Sequence, residues 1–341
     1  MKIPPRSSLS QLSIIMAIAI AAWSLWLIIP GYETAIASLI QHWQIALTMT
    51  FGSIIAGGTS VGGGAIAFPV FTKLLHIPPQ DAKVFSLAIQ SVGMGAATIA
   101  ICLNQTLVEW RAIRWASLGG IFGIAIGLGF FSHWLPPDAI RTAFSIMLTS
   151  FAVTLFQLNR GKRQYLHQLP NWRYRERSLF FWTGWGGGIM SGMVGNGIDV
   201  IVFSVLVLLY GLSEKVATPT AVILMAINAI AGFILQLFWF DQFSSTVQDY
   251  WLAAIPVVIV GAPVGAFICN ALSRQTIANI LLALIAIEAI SSIILIPMRG
   301  VVIYASLVSL VLFSGFNYWM YLSQLNRANL PQPQSSVNTP I

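Results

Sequence analysis

Apolar stretches long enough to cross a membrane recur along the chain from residue 12 to residue 323. A transmembrane helix needs about 20 mostly apolar residues to cross roughly 30 Å of hydrocarbon. Full-length stretches occupy 12–29, 82–103, 111–133, 138–158, 216–240, 250–270, 275–296 and 301–323. Of the 341 residues, 57% are hydrophobic and only 8% are charged, too few for the wet surface of a soluble domain. The sequence therefore predicts an all-α, polytopic transmembrane helical bundle that contacts membrane lipid.

Two further apolar stretches, 43–75 and 179–211, are interrupted by glycine clusters. The interruptions are Gly62-Gly63-Gly64 in the first stretch and Gly195-Asn196-Gly197 in the second. Glycine clusters disfavour a continuous helix, so each stretch is predicted to be a hairpin of two short broken helices. Such a hairpin either re-enters the membrane or makes two short spans. In both cases its ends return to the same side.

The distribution of basic residues predicts the orientation of the chain. With the N terminus inside, these residues fall in cytoplasmic loops: Arg111, Arg114, Arg160, Lys162, Arg163, Arg173, Arg175, Arg177, Lys215, Arg274 and Arg327. Only Lys73, Lys83, Arg141 and Arg299 fall outside. The exterior segments 30–42 and 241–249 lack Lys and Arg and carry Glu33, Asp241 and Asp249. Both termini are therefore predicted to be cytoplasmic.

The net charge of +7 arises mainly from these short loops, so the sequence predicts no nucleic-acid partner. The central basic loop, residues 159–178, is interpreted first as a determinant of orientation. A regulatory or lipid-binding patch is the alternative interpretation of the same loop. No cofactor and no metal site are predicted.

The sequence also contains an internal repeat. A shift of about 134 residues superposes the two hairpins, with Gly63 on Gly197 and Ser86 on Thr220. In a later span, small residues recur at every fourth position, which lets helices approach closely. The positions are Gly119, Gly123 and Gly127 in the first copy, which fall on Ala253, Val257 and Gly261 in the second.

Each repeat is predicted to contain one hairpin and three spans. An odd number of crossings makes the second repeat inverted relative to the first, the pattern of transporters whose substrate site lies near the midplane. The predicted divisions are an N-terminal span and outer loop, repeat 1, the basic loop, repeat 2, and the last span with a cytoplasmic tail. These divisions occupy 1–42, 43–158, 159–178, 179–296 and 297–341.

The two glycine clusters lie in paired motifs. In the first copy, residues 57–64 read GGTSVGGG and are followed by Pro69 and then by residues 82–86. In the second copy, residues 191–197 read SGMVGNG and are followed by residues 217–220, ATPT. These paired motifs resemble the signature of the TauE/SafE sulfite exporter family over roughly residues 43–300. The second copy departs from that signature because Phe203 stands where a proline is expected.

The resemblance implies a plasma-membrane secondary transporter, not an enzyme, for small sulfur-containing anions such as sulfite or organosulfonates. The family contains many members without an assigned substrate, so the resemblance supports transport more strongly than any particular anion.

The glycine breaks are the first candidates for the substrate site. If the hairpins re-enter, a helix begins at each break, and its unpaired N–H groups and partial positive charge can hold an oxyanion. Polar side chains near the breaks and on the following helices join them as candidates. The predicted substrate-binding residues are Thr59, Ser60, Gly62, Gly63, Gly64, Gln90, Gly195, Asn196, Gly197 and Asn228. Local capping or interhelical hydrogen bonding is the alternative role for the hydroxyl groups, which include Ser86 and Thr220.

Two carboxyl groups are predicted to be buried, Asp199 after the second break and Glu288 inside the span 275–296. An ionisable group at membrane depth is a functional candidate, and either could couple proton movement to anion movement. The alternatives are structural: Asp199 caps a helix, and Glu288 holds helices together by hydrogen bonds. Lys73, Lys83 and Asp81 are predicted to lie at the outer interface, where long side chains snorkel toward water, and electrostatic attraction of anions is their alternative role.

Other functions fit the residue patterns less well. Residues 58–62, GTSVG, match the G-x-S-x-G pattern of serine nucleophiles, but His42, His76, His133 and His167 all lie in loops or at segment ends. An ATP-driven pump is disfavoured because no G-x-x-x-x-G-K-[ST] motif is present. A passive anion channel, or a membrane subunit of another assembly, stays open as the alternative function.

Overall fold

The structure is a computed structural model that describes residues 8–60, 70–71, 75–160, 165–170, 172–297 and 299–328, with side chains between residues 16 and 324 except His133. Over that part of the chain the secondary structure is helical, apart from one isolated bridge between Leu166 and Leu212. The predicted all-α, polytopic bundle is confirmed.

Twelve principal helices are found in the described residues. They are α1 Ser8–Ile28, α2 Tyr32–Gln41, α3 Trp43–Gly58, α4 Pro79–Leu103, α5 Trp110–Ile126, α6 Pro137–Arg160, α7 Tyr174–Val194, α8 Ile198–Ser204, α9 Glu214–Phe238, α10 Ser245–Ala271, α11 Arg274–Leu295 and α12 Val301–Ala328. Wider π-helical turns continue α5 over Gly127–Phe131 and α8 over Val205–Leu209. A short helical turn, Ser132–Trp134, follows the first of these.

Seven helices in the described part of the chain are long and apolar enough to cross a membrane: α4, α5 with its π turn, α6, α9, α10, α11 and α12. They match seven of the eight predicted full-length spans. At the N terminus the sequence prediction was incomplete, because residues 30–42, predicted as an outer loop, contain helix α2. The apolar segments Met16–Ile28 and Tyr32–Gln41 are long and apolar enough for a membrane span only when taken together. The angle between them is 99°, and Gly31 lies at the bend.

In the described residues, the helices of the two predicted hairpins have different boundaries from those predicted. In the first, α3 ends at Gly58 and the chain leaves the helix at Thr59. The predicted break at Gly62-Gly63-Gly64 lies outside the described residues. In the second, α7 is a full 21-residue helix rather than a short arm, and it starts at Tyr174 inside the predicted basic loop. Its end at Val194, beside Gly195-Asn196-Gly197, agrees with the prediction.

Each hairpin returns toward the end of the bundle from which it started. In the second hairpin, Tyr210 stacks on Phe180, near the start of α7, with ring centroids 5.7 Å apart. In the first hairpin, Phe71 packs in the same buried cluster as Ile45 and Met49, near the start of α3. The chain therefore goes out along α3 or α7 and comes back before the next long helix begins.

Helices α5 and α7 run in the same direction and touch through glycines. Cβ atoms added at three glycines of α5 would collide with the backbone of α7 one turn apart. Gly119 meets Phe181, Gly123 meets Trp185 and Gly127 meets Ile189, so the residue numbers rise together along both helices. The predicted close approach at these small residues is confirmed. Helix α9 also runs parallel to α5, because Glu109 contacts Thr220, Gly120 approaches Asn228 and Ile124 approaches Gly232.

Helices α3, α4 and α10 form the opposite set. Gly261 of α10 approaches Ser53 of α3, and Gly265 approaches Ile54 and Gly58, so these two helices are parallel. The Trp251 indole donates to the Ala88 carbonyl at 3.0 Å, and Gly93 packs on Val258, so α4 is parallel to α10.

The two sets of helices run in opposite directions. Leu87 of α4 borders Gly232 of α9, whereas Ile101 of α4 shares a small gap with Thr218 near the start of α9, so α4 and α9 are antiparallel. Because α9 is parallel to α5 and α7, and α4 is parallel to α3 and α10, the helices α3, α4 and α10 run opposite to α5, α7 and α9.

Helix α1 is attached to α10 at a proline. Pro256 has no N–H, so the carbonyl of Leu252 loses its normal partner inside α10. The indole Nε1 of Trp26 donates to that carbonyl at 2.9 Å, and Trp23 donates to the Pro256 carbonyl at 3.0 Å. The N-terminal helix is thereby docked on the side of the bundle that carries α3, α4 and α10.

Candidate functional site

The second break is a tight connection between α7 and α8. Gly195 has a left-handed backbone with φ +93°, and Gly197 has φ +157°, values that residues with side chains rarely adopt. An added Cβ at Gly195 would lie 2.8 Å from Cβ of Ser86, and one at Gly197 would lie 2.6 Å from Cβ of Met190. Both glycines are therefore required by conformation and by space.

The amides at the second break are occupied by protein groups. The Gly197 N–H donates to Asp199 Oδ1 at 3.1 Å, and the Ile198 N–H donates to Ser191 Oγ at 3.1 Å. Asp199 is completely buried and holds the start of α8, which is the capping role considered as its structural alternative. The expected set of free amides for an oxyanion is therefore wrong at Gly197 and Ile198, because a carboxyl and a hydroxyl already accept from them.

Helix α4 borders this break through one face. Gln90 donates from Nε2 to the Gly195 carbonyl at 3.1 Å and to Ser86 Oγ at 2.7 Å. The Ser86 hydroxyl donates to the same carbonyl at 3.4 Å. Lys83 lies one turn before Ser86, and its backbone oxygen would lie 3.2 Å from a Cβ on Gly195. The structure thus brings the predicted residue Gln90 to the predicted break.

Asn228 lies on the other side of the break, on α9. It is 1% exposed, and neither its Oδ1 nor its Nδ2 has a hydrogen-bond partner in the described part of the chain. Cβ atoms added at Gly120 would meet both Asn228 Oδ1 and the side chain of Ile198, so Asn228 borders the first turn of α8. Asn196 is also buried, within the break itself.

At the first break, Thr59 and Ser60 are buried at 4% and 1% exposure. The Thr59 hydroxyl donates to the Ile55 carbonyl at 2.9 Å, the local hydrogen bond considered as its alternative role. The preceding Gly57 closes against Ala262 of α10, which also borders Gly93 of α4. Gly93 lies about one helical turn beyond Gln90. The ends of both first arms, α3 and α7, therefore lie near the middle of α4.

Glu288 is 8% exposed and joins α11 to α6. Its Oε2 accepts from Ser145 at 2.9 Å and its Oε1 accepts from Ser292 at 3.0 Å. Both serines line a cavity of about 520 Å³ between α6, α11 and α12. The structure does not bring Glu288 to Asp199, because Glu288 bonds between helices whereas Asp199 bonds within the second break.

Sequence reasoning missed Lys83. The side chain was expected to snorkel to the outer interface, but Lys83 is 5% exposed, and its neighbours Ala82, Val84 and Phe85 are equally buried. The ammonium has no hydrogen-bond partner among the described residues. A signal was available, because Lys83, Ser86 and Gln90 share the i, i+3, i+7 spacing of one helix face.

Comparison with protein families identifies one matching family, sulfite exporter TauE/SafE, over residues 45–292. The match covers both hairpins and α3 to α11, most of the chain. The chain belongs to the TauE/SafE family. Family membership makes it a multi-pass membrane transporter of sulfur-containing anions. Comparison with curated proteins and with solved structures gives no match to this chain.

Proposed function

We propose that this TauE/SafE protein is a secondary transporter that carries a small sulfur-containing anion, of the sulfite or organosulfonate class, across the plasma membrane by alternating access. The family match over residues 45–292 carries the proposal. The end of α3 and the second break both approach the same long helix, α4, which supports a single substrate site between the halves of the molecule.

The alternating-access part of the proposal treats α3 to α6 and α7 to α11 as inverted repeats. Helices α4 and α9 begin at residues 79 and 214, and α5 and α10 begin at residues 110 and 245, spacings close to the sequence repeat. The first arm of each hairpin packs parallel to the third long helix of the other half, α3 on α10 and α7 on α5. Rocking of the pair α3 and α10 against the pair α5 and α7 would expose the site to each face of the membrane in turn.

In this proposal the substrate binds where α4 and α9 border the breaks. Gln90 and Asn228 supply amide groups, and the glycine breaks with Thr59, Ser60 and Asn196 shape the pocket. Asp199 is the proposed proton-coupling group at the site, because its Oδ2 has no hydrogen-bond partner in the described residues. Glu288 is a second, separate coupling candidate, with its proton exchange linked to the contact between α6 and α11.

The test is flux through reconstituted protein. Proteoliposomes are loaded, and uptake of labelled sulfite is followed with sulfate, thiosulfate and small sulfonates as competitors, with and without an inward proton gradient. We expect saturable uptake that the gradient accelerates and that Asn228→Leu reduces about 10-fold or more, the effect of losing one or two hydrogen bonds to a charged ligand. Gly186→Ala is the matched control, because a Cβ at Gly186 meets no atom within 4 Å.

A channel would give a different result. Carriers saturate and turn over slowly, whereas a passive anion pore passes measurable current. Single-channel current steps in planar bilayers, together with flux that does not saturate, would show that the protein is a channel rather than a carrier. Absence of uptake for every anion tested would overturn the substrate class.

A further inference from the structure

The buried ammonium of Lys83 calls for a counter-ion that the described protein does not supply. Moving an ammonium group out of water costs several kcal/mol unless an opposite charge or hydrogen-bond acceptors compensate. Nζ of Lys83 is buried without a hydrogen-bond partner, and none of the ion pairs among the described residues includes it. Asp81, two positions earlier, lies on a different face of α4, because residues i and i+2 do not face each other.

The position of Lys83 connects it to the second break. Ser86 and Gln90 follow it along the same face of α4, and both donate to the Gly195 carbonyl. The Lys83 backbone itself borders Gly195. Because residues 82 to 85 are all buried, this face is enclosed by protein rather than exposed to lipid headgroups.

The break needs such a cation if it is to bind an anion. The Asp199 carboxyl and the Ser191 hydroxyl occupy the Gly197 and Ile198 amides, so these N–H groups are not free to bind a substrate. When it is ionised, Asp199 at the start of α8 also repels an anion. Positive charge from a side chain would therefore favour an oxyanion at this break, and Lys83 lies on the face of α4 that borders it.

We infer that Lys83 is the cationic substrate-binding residue of the transporter and that its ligand is a small oxyanion. The inference rests on the proposed function and adds to it the residue that carries the charge. The ammonium has three N–H donors and forms short, charge-assisted hydrogen bonds with oxyanion oxygens. Asn228, buried and unpaired across the first turn of α8, adds a neutral donor from the other side of the break.

Thermal stability of the purified protein in detergent tests the binding step without transport. Wild type, Lys83→Met, Lys83→Gln and the control Lys215→Met are titrated with sulfite, sulfate, thiosulfate and 2-aminoethanesulfonate. Lys215 is a fair control because it is an exposed lysine near the start of α9. A ligand that binds only the folded state stabilises it by RT ln(1 + [L]/Kd), so the melting temperature rises with the ligand concentration above Kd.

We expect an upward shift that grows with anion concentration in wild type and Lys215→Met and that both Lys83 variants lose. Without anion, Lys83→Met should melt at or above the wild-type temperature, because the substitution removes an unpaired buried charge. In liposomes Lys83→Gln should raise KM about 10- to 100-fold, the cost of a charge-assisted hydrogen bond.

The outcomes separate the two proposals. If Lys83→Met and Lys83→Gln transport the anion as fast as wild type and with an unchanged KM, the proposed role of Lys83 is overturned. The transport proposal then stays in place. A shift that depends on Lys83 without any flux overturns the transport proposal alone. No anion-dependent shift in wild type overturns the Lys83 site.

Discussion

At the scale of single residues, the second break shows how a structural role and a proposed functional role fall on one side chain. Asp199 is fully buried, and its Oδ1 accepts from the Gly197 amide. Its Oδ2 has no partner among the described residues, so one oxygen serves the cap and the other is available for a proton. Substitutions that separate the two oxygens' roles can distinguish capping from coupling.

We expect Asp199→Asn to keep the cap and to abolish the response to the proton gradient, because the amide oxygen accepts as before but the group no longer exchanges a proton. Asp199→Ala should lower the free energy of unfolding by about 1 kcal/mol, the usual cost of losing an N-terminal cap. Denaturation in detergent and gradient-driven uptake measure the two effects. A gradient response retained in Asp199→Asn would leave Asp199 as a cap alone.

At the scale of helices, the contacts between the two halves depend on glycine. At Gly123 an added Cβ would strike the backbone carbonyl of Trp185, a group that cannot rotate away. At Gly186, on the partner helix α7, an added Cβ meets no atom within 4 Å. The same chemical change is therefore tolerated or rejected according to which face of the helix carries it.

We expect Gly123→Ala to destabilise the protein by about 1–3 kcal/mol, because α5 and α7 must separate to accommodate the methyl group. Gly186→Ala should be neutral or stabilising by up to about 1 kcal/mol, since alanine favours helix over glycine. Melting of the two purified variants beside wild type measures the difference. Equal stability of the two variants would contradict the close packing of α5 on α7.

At the scale of the whole molecule, two sets of helices run in opposite directions and each hairpin returns to the end where it began. The start of α9 and the turn between α9 and α10 consequently lie at opposite ends of the bundle. Charge assigns these ends to compartments, because Lys215 lies near the first and Asp241 in the second. The orientation of the chain in the membrane is therefore a prediction, and labelling at these two positions tests it.

We expect an impermeant thiol reagent to label Asp241→Cys in intact cells and to label Lys215→Cys only after the membrane is permeabilised. Both residues are exposed, so accessibility within the protein does not limit the reaction. The background variant replaces Cys102 and Cys269 by serine, since both are free thiols. The reverse labelling pattern would place the N terminus outside.

Much of this molecule follows from short-range patterns. Apolar length specified seven of the spans, because a helix must be long enough to cross hydrocarbon wherever it packs. The break at Gly195-Asn196-Gly197 and the glycine face of α5 were also predicted, since both depend on the absence of a side chain. The bend into α2 was missed because residues 30–42 are too short and too polar for a span of their own.

The sequence by itself determined the fold class, the family and the break at Gly195-Asn196-Gly197, because length, hydropathy and glycine spacing act locally. Only the tertiary structure decided which groups meet at the breaks. It placed Asp199 and Ser191 on the amides expected to bind substrate, and it enclosed Lys83, which the sequence assigned to the interface. Burial and hydrogen-bond satisfaction depend on neighbours distant in sequence, so they become defined only when the helices pack.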